Sequence, residues 1–296
     1  VRFPPPLRPG DVVAVFAGSS PFDPTLAWRG LGWLASRYRL RFDRSLFARR
    51  GYLAGSDERR CGELAAYLAD PEIRALIAVR GGYGLSRIVH LLDGSSLQDN
   101  PRWIVGFSDV TALHVEAARL GVASVHGPMV AALGRADAWA RSRLLSALEA
   151  PLAPFRLPGL RVLHPGAAEG PLAGGNLTVL HACAAAGRLA LPPGCILLLE
   201  DVTERPYRLD RMLTTLLVGG HFSRVSGVLL GDFSDCGPGP DGVTAEEVLR
   251  ERLGALGVPV LAGAPVGHGA RNLPVVLGRR LRLDGARGEA VSEAGR

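Results

Sequence analysis

The chain contains no lysine, and that absence removes one class of function outright. A Walker A phosphate loop needs the ammonium of its lysine on the nucleotide phosphates. Every permanently cationic side chain is arginine, and the formal net charge is +6. The arginines are scattered and often adjoin Asp or Glu instead of lining one face with aromatics between them, a pattern that argues against nucleic-acid binding. Guanidinium pairs bidentately with carboxylates, so an anionic small substrate suits this composition better. Cysteine is also sparse: Cys61, Cys183, Cys195 and Cys236 lie far apart without a C-x-x-C pair, which suggests neither a disulfide framework nor a zinc site. With no H-E-x-x-H or comparable ligand spacing, no metal is expected. No run approaches the ~20 consecutive apolar residues of a membrane-spanning helix. The stretch Val1 to Gly10 is proline-rich where an export signal would be charged and then apolar, so the expectation is a cytoplasmic protein without membrane partners.

What the chain does have is length and apolar content for a sizeable core, with 296 residues of which 47% are hydrophobic. Its 38 glycines and 22 prolines are spread out as turns, not gathered into a repeat. The first half alternates short apolar runs with helical patterns, as a parallel sheet flanked by helices requires. Strands are expected at Asp11 to Phe16, Ala75 to Val79, Trp103 to Phe107 and Ala123 to Val125. Helices are expected from Asp57, Leu85 and Val110. Between Leu148 and Pro171 the pattern gives way to prolines and glycines. This predicts a Rossmann- or flavodoxin-like α/β domain over 1–150, a linker over 151–170, and a smaller mixed α/β domain over 171–296 with a polar tail.

Four short segments carry candidate chemistry. Gly106-Phe107-Ser108-Asp109 follows a strand and opens a helix, a turn that lifts a serine hydroxyl to the sheet edge beside unpaired helix N–H groups. Val110 stands where the second glycine of G-x-S-x-G belongs, which disfavours an ordinary α/β-hydrolase, and serine is also a common helix cap. Arg80-Gly81-Gly82-Tyr83-Gly84 leaves another strand; its glycines allow either a tight turn or close backbone approach to a ligand, and it does not match a dinucleotide fingerprint. Leu199-Glu200-Asp201 ends an apolar strand in two carboxylates, which either begin a solvated loop or hold an acid in a site. Gly267-His268-Gly269 places an imidazole in an uncrowded loop, where it is either a solvated residue or a general base. His126 is a minor candidate; the remaining histidines fall on helices or turns.

Together with Tyr207-Arg208-Leu209-Asp210-Arg211, these segments resemble the LD-carboxypeptidase family of serine peptidases in order and approximate spacing, from the first strand to about Gly278. The resemblance implies a Ser108-His268-Glu200 triad divided between two domains, no cofactor, a homodimer, and release of the terminal D-alanine from murein tetrapeptides in cytoplasmic cell-wall recycling. Backbone N–H groups of Gly82 and Asp109 would then form the oxyanion hole, and Arg80, Tyr83, Arg205 and Arg208 would contact substrate. The loop Thr203-Glu204-Arg205 departs from a family stretch richer in Gly and Pro. Two other readings are a microcin C-type self-immunity peptidase that cleaves an acyl-nucleotide bond and a non-catalytic ligand-binding protein.

Overall fold

Strands that are apolar on both faces need cover on both sides, and the first half of the chain supplies it. The computed structural model describes residues 1–294 and divides them into two compact units. The first comprises Val1–Pro151 with Leu273–Val276. Its strands β1 (Val12–Phe16), β2 (Arg39–Arg41), β3 (Ile73–Ala78), β4 (Trp103–Gly106) and β5 (Ser124–His126) lie in the order 5-4-3-1-2, with every neighbouring pair parallel. The strand Val275–Leu277 (β12 in chain order) adds an edge beside β5. Read from its other end, 2-1-3-4-5 is the flavodoxin-like arrangement, whose order reverses between β1 and β3 and opens a crevice at their carboxyl ends.

Helices Pro24–Ala35, Asp57–Ala69 and Thr111–Arg119 make the crossovers of this first sheet. Asp23 caps the first by accepting from the N–H groups of Thr25 and Leu26, with Pro24 at the position where its missing N–H costs nothing. Ser56 caps the second through the N–H of Arg59. Val13, Val15, Leu31, Leu34, Ile77, Trp103, Val105 and Val125 form the centre of the core. Each such side chain contributes roughly 1.5–3 kcal/mol by leaving water.

The second unit runs over Leu152–Asn272 and resumes at Leu277. Strands β6 (Phe155–Leu157), β7 (Arg161–His164), β8 (Ala167–Asn176), β9 (Cys195–Val202), β10 (Val225–Ser234), β11 (Val260–Ala262), β13 (Arg280–Asp284) and β14 (Glu289–Ser292) make one mixed sheet in the order 6-14-13-8-9-10-11-7. Its centre, β8 to β11, is parallel, and its margins are antiparallel. β8 serves both parts: Ala167–Pro171 pairs antiparallel with β13, and Leu172–Asn176 pairs parallel with β9.

The mixed α/β class agrees with the sequence reading, but several details differ. The stretch expected as a linker, 151–170, carries β6, β7 and the start of β8. Pro154, Pro158 and Pro165 sit just outside these strands, where a missing N–H interrupts no ladder. The second sheet has eight strands against the six of the first, and the supposed polar tail forms β14. The segment expected as one helix from Leu85 is two 3₁₀ turns, Leu85–Arg87 and Val89–Leu91.

Candidate active site

In the first unit the chain leaves β4 through extended Phe107 and enters Ser108 at φ 62°, the left-handed region. A side chain there costs roughly 1–2 kcal/mol, because Cβ crowds the following carbonyl. The 3₁₀ turn Ser108–Val110 then feeds the helix Thr111–Arg119. The geometry is that of a strained strand-to-helix elbow, and it forms with Val110 in place of the second glycine.

The loop after β3 lies against this elbow. A Cβ built on Gly81 would stand 2.9 Å from Ser108 Cβ and 3.0 Å from its Oγ, so only glycine lets this backbone pass so close to the hydroxyl. Next to it, Gly82 adopts φ 110°. The loop after β1 holds both: Ser20 N–H donates to the Gly81 carbonyl at 3.2 Å, and Tyr83 N–H donates to Ser20 Oγ at 3.1 Å. Asp109 locks the three loops together. Its carboxylate is 1% exposed, and Oδ2 accepts from Ser19 Oγ at 2.6 Å and from Leu85 N–H at 2.8 Å. Burial pushes this carboxyl above its ordinary range, against the pull of those two bonds. Arg80 is exposed and donates to the Pro21 carbonyl at 2.5 Å, and Tyr83 is exposed with its ring 6.0 Å from that of Tyr52. The carboxyl edge of one sheet thus gathers Arg80, Gly82, Tyr83, Ser108 and Asp109.

His126, the minor candidate, is buried at the end of β5, its ring 5.8 Å from that of Phe107 and 6.2 Å from that of His114. His114 contacts the Gly106 carbonyl through Nε2 and Ser124 Oγ through Nδ1, both at 2.9 Å. A carbonyl only accepts, so Nε2 carries the proton and Nδ1 accepts from the hydroxyl. Burial pushes His114 down to about 3, so the ring is neutral and fixes the strand just before the elbow.

In the second unit β9 stays buried as far as Asp201, and its last two carboxylates part by the alternation of a strand. Asp201 turns to the helix Leu177–Ala185, accepting from Thr178 N–H at 2.9 Å, Thr178 Oγ1 at 2.8 Å and Asn176 Nδ2 at 3.1 Å. It caps structure. Glu200, fully buried, turns the other way and meets His268, with Nδ1 2.7 Å from Oε2. A carboxylate accepts, so Nδ1 carries the proton and Nε2 is the ring's basic atom. Burial alone would lower the imidazole pKa. The hydrogen bond and charge of Glu200, with Asp201 and Asp232 behind it, outweigh that and hold it above the ordinary value.

The histidine loop follows β11 and depends on Gly267, at φ 121°, where a Cβ would lie 2.6 Å from Glu200 Oε2. Gly267→Ala therefore sets backbone strain and a steric conflict on the Glu200–His268 contact. The expected cost is about 1–3 kcal/mol, read as a fall in melting temperature; a melting temperature equal to that of the wild type would count against this packing.

Arg205 and Arg208 flank the start of the helix Pro206–Val218 and are exposed. Arg205 reaches the Pro238 carbonyl at 3.4 Å, and Arg208 lies 3.2 Å from Tyr207 Oη and 3.7 Å from Glu204. Thr203 just before them has φ 61°, a conformation that a β-branched residue rarely holds. The sequence reading does not single out Asp232, Ser19, Ser20 or Asn272, whose Oδ1 accepts from Gly267 N–H at 3.1 Å. Asp232 carries the signal that picked out Glu200, an apolar run ending in a carboxylate.

Comparison with known proteins gives these features a family. Residues 13–127 match the LD-carboxypeptidase N-terminal domain, and residues 169–283 match its C-terminal domain. A Synechocystis sp. carboxypeptidase-like protein is 39% identical over 96% of this chain and 95% of its own. The murein tetrapeptide carboxypeptidase of Pseudomonas aeruginosa is 36% identical over 82% of this chain and 83% of its own. The microcin C7 self-immunity protein of Escherichia coli is 26% identical over 94% of this chain and 92% of its own. The crystal structure of a muramoyltetrapeptide carboxypeptidase from Oxalobacter formigenes superposes with a TM-score of 0.85 at 28% identity, covering 96% of this chain and 99% of that one. With matches to both of its domains and a relative above one-third identity along most of its length, this chain belongs to the LD-carboxypeptidase family.

Proposed function

We propose that the chain is a serine-type LD-carboxypeptidase that releases the terminal D-alanine from murein tetrapeptides. The observation that carries the chemistry is the 2.7 Å bond from His268 Nδ1 to buried Glu200, which fixes the tautomer a general base requires. In the proposed reaction Ser108 Oγ attacks the carbonyl carbon of the scissile amide and its proton passes to His268 Nε2. Glu200 stabilises the imidazolium without taking the proton. The N–H groups of Gly82 and Asp109 hold the tetrahedral oxyanion. Collapse breaks the C–N bond, His268 protonates the departing amine, and water then hydrolyses the acyl-enzyme by the same proton path in reverse. Arg80, Tyr83, Arg205 and Arg208 are the proposed substrate contacts, with guanidinium matched to peptide carboxylate. The reading also places the protein in cytoplasmic cell-wall recycling as a homodimer.

The test is incubation with a defined murein tetrapeptide and identification of the released amino acid by mass. Release of alanine alone supports the proposal. Turnover restricted to an aminoacyl-sulfamoyl adenosine would favour the microcin-type reading, and binding without turnover of either would make the protein a ligand carrier.

A pH dependence follows from the base. His268 must be neutral to accept the proton, and its raised pKa keeps it protonated to higher pH than a free imidazole. Accordingly kcat/KM should rise with pH through a midpoint above ~6.5. A midpoint at or below that value would contradict the assignment of His268 as the base.

A further inference from the structure

β10 lies between the strand that carries Glu200 and the strand that leads to His268. Its register against β9 slips at this level: Leu230 pairs with Leu199 and Phe233 with Asp201, so Gly231 and Asp232 together stand opposite Glu200 alone. Such a bulge re-aims the side chain it carries. Asp232 then touches the histidine loop on both sides of the imidazole. Its N–H donates to the Val266 carbonyl at 2.8 Å, and its Oδ2 accepts from Gly269 N–H at 3.1 Å. A Cβ on Gly269 would lie 2.4 Å from that oxygen, so the loop backbone is drawn directly onto the carboxylate.

We infer that Asp232 is a positioning residue for His268, bracketing the loop at Val266 and Gly269 and placing a further negative charge near the imidazole. The inference rests on the proposed role of His268 as base. The charged groups around the ring are Glu200 and Asp201 from β9 and Asp232 from β10, with Arg271 following in the histidine's own loop. Glu200 supplies the direct bond; Asp232 supplies the anchor and a further attraction for the proton. Burial raises the Asp232 carboxyl and the charge of Glu200 adds to the rise, against the pull of the Gly269 N–H and of His268. The two contributions separate by substitution, because asparagine keeps an oxygen acceptor for Gly269 N–H while losing the charge, and alanine loses both.

The experiment uses the full chain as wild type, Asp232→Asn and Asp232→Ala. His268 is titrated by NMR, its resonance assigned with a His268→Gln control, and amide hydrogen exchange is followed at Gly269. The His268 midpoint should move to lower pH in both variants. Gly269 exchange should accelerate in Asp232→Ala and much less in Asp232→Asn. With tetrapeptide, kcat should fall by about 10²-fold in Asp232→Ala, the scale of a misplaced catalytic group, and the asparagine variant should recover most of that loss. An unmoved His268 midpoint in Asp232→Asn, or unchanged Gly269 exchange in Asp232→Ala, would overturn the inference. The titration does not depend on the substrate: a midpoint shifted in the Asp232 variants, when the wild type hydrolyses no murein peptide, would uphold the placement of Asp232 and reject the proposed function.

Discussion

Replacing Ser108 by alanine should lower kcat on murein tetrapeptide by about 10⁴- to 10⁶-fold, the range seen when a serine hydrolase loses its nucleophile and retains its binding and oxyanion donors. The residual rate is part of the expectation, since backbone N–H groups remain in place. Alanine at 108 keeps a Cβ in the left-handed conformation at φ 62°, so the melting temperature should stay near that of the wild type. Glycine at the same position separates strain from chemistry. It removes the crowding of roughly 1–2 kcal/mol, part of which is lost again to the greater freedom of the unfolded glycine chain. Ser108→Gly should therefore be as inactive as Ser108→Ala and melt at least as high. A cap or a mere turn residue would behave differently, because either substitution would leave turnover intact.

The second large effect is at Glu200. Glu200→Gln keeps shape and burial but removes the charge that stabilises imidazolium, and an amide can present N–H to Nδ1 and so invert the tautomer. The expected fall in kcat is about 10⁴-fold, as when an analogous acid is neutralised. The remaining activity should carry a signature: with the largest attraction for its proton gone, His268 titrates at lower pH, and the acid limb of kcat/KM moves down. A neutral amide costs no more to bury than a carboxylate, so the melting temperature should hold close to the wild-type value. Rates of wild type and variant across pH check both parts. A limb that stays in place would mean that Glu200 does not act through His268.

Much of this was legible in the residues because strands buried on both faces announce themselves. The apolar runs of β1, β3, β4 and β9 need no partner information to be read, and the loops that follow them hold the candidate residues. What escaped was set by tertiary contact. The helix Pro24–Ala35 buries Ala27, Gly30, Leu31 and Leu34 at helical spacing, but its two glycines lower the helix propensity of the segment. The prolines of 151–170 suggested a linker because composition does not distinguish the ends of short edge strands from a flexible connection. That Leu273–Val276 belongs with the first unit is a matter of long-range pairing. At the site, sequence pointed to Ser108, Glu200 and His268 as separate segments. The left-handed backbone at Ser108, the bulge that aims Asp232 and the contact of Gly81 with the serine hydroxyl arise only once strands are in register.

The central claim is that a single serine, made nucleophilic by a single histidine, carries the reaction. Labelling with a serine-directed fluorophosphonate, followed by proteolysis and mass mapping of the adduct, tests it most directly. The expected result is one adduct on Ser108, formed rapidly in the wild type and far more slowly in His268→Ala. An adduct on a different serine, together with wild-type turnover in Ser108→Ala, would contradict it.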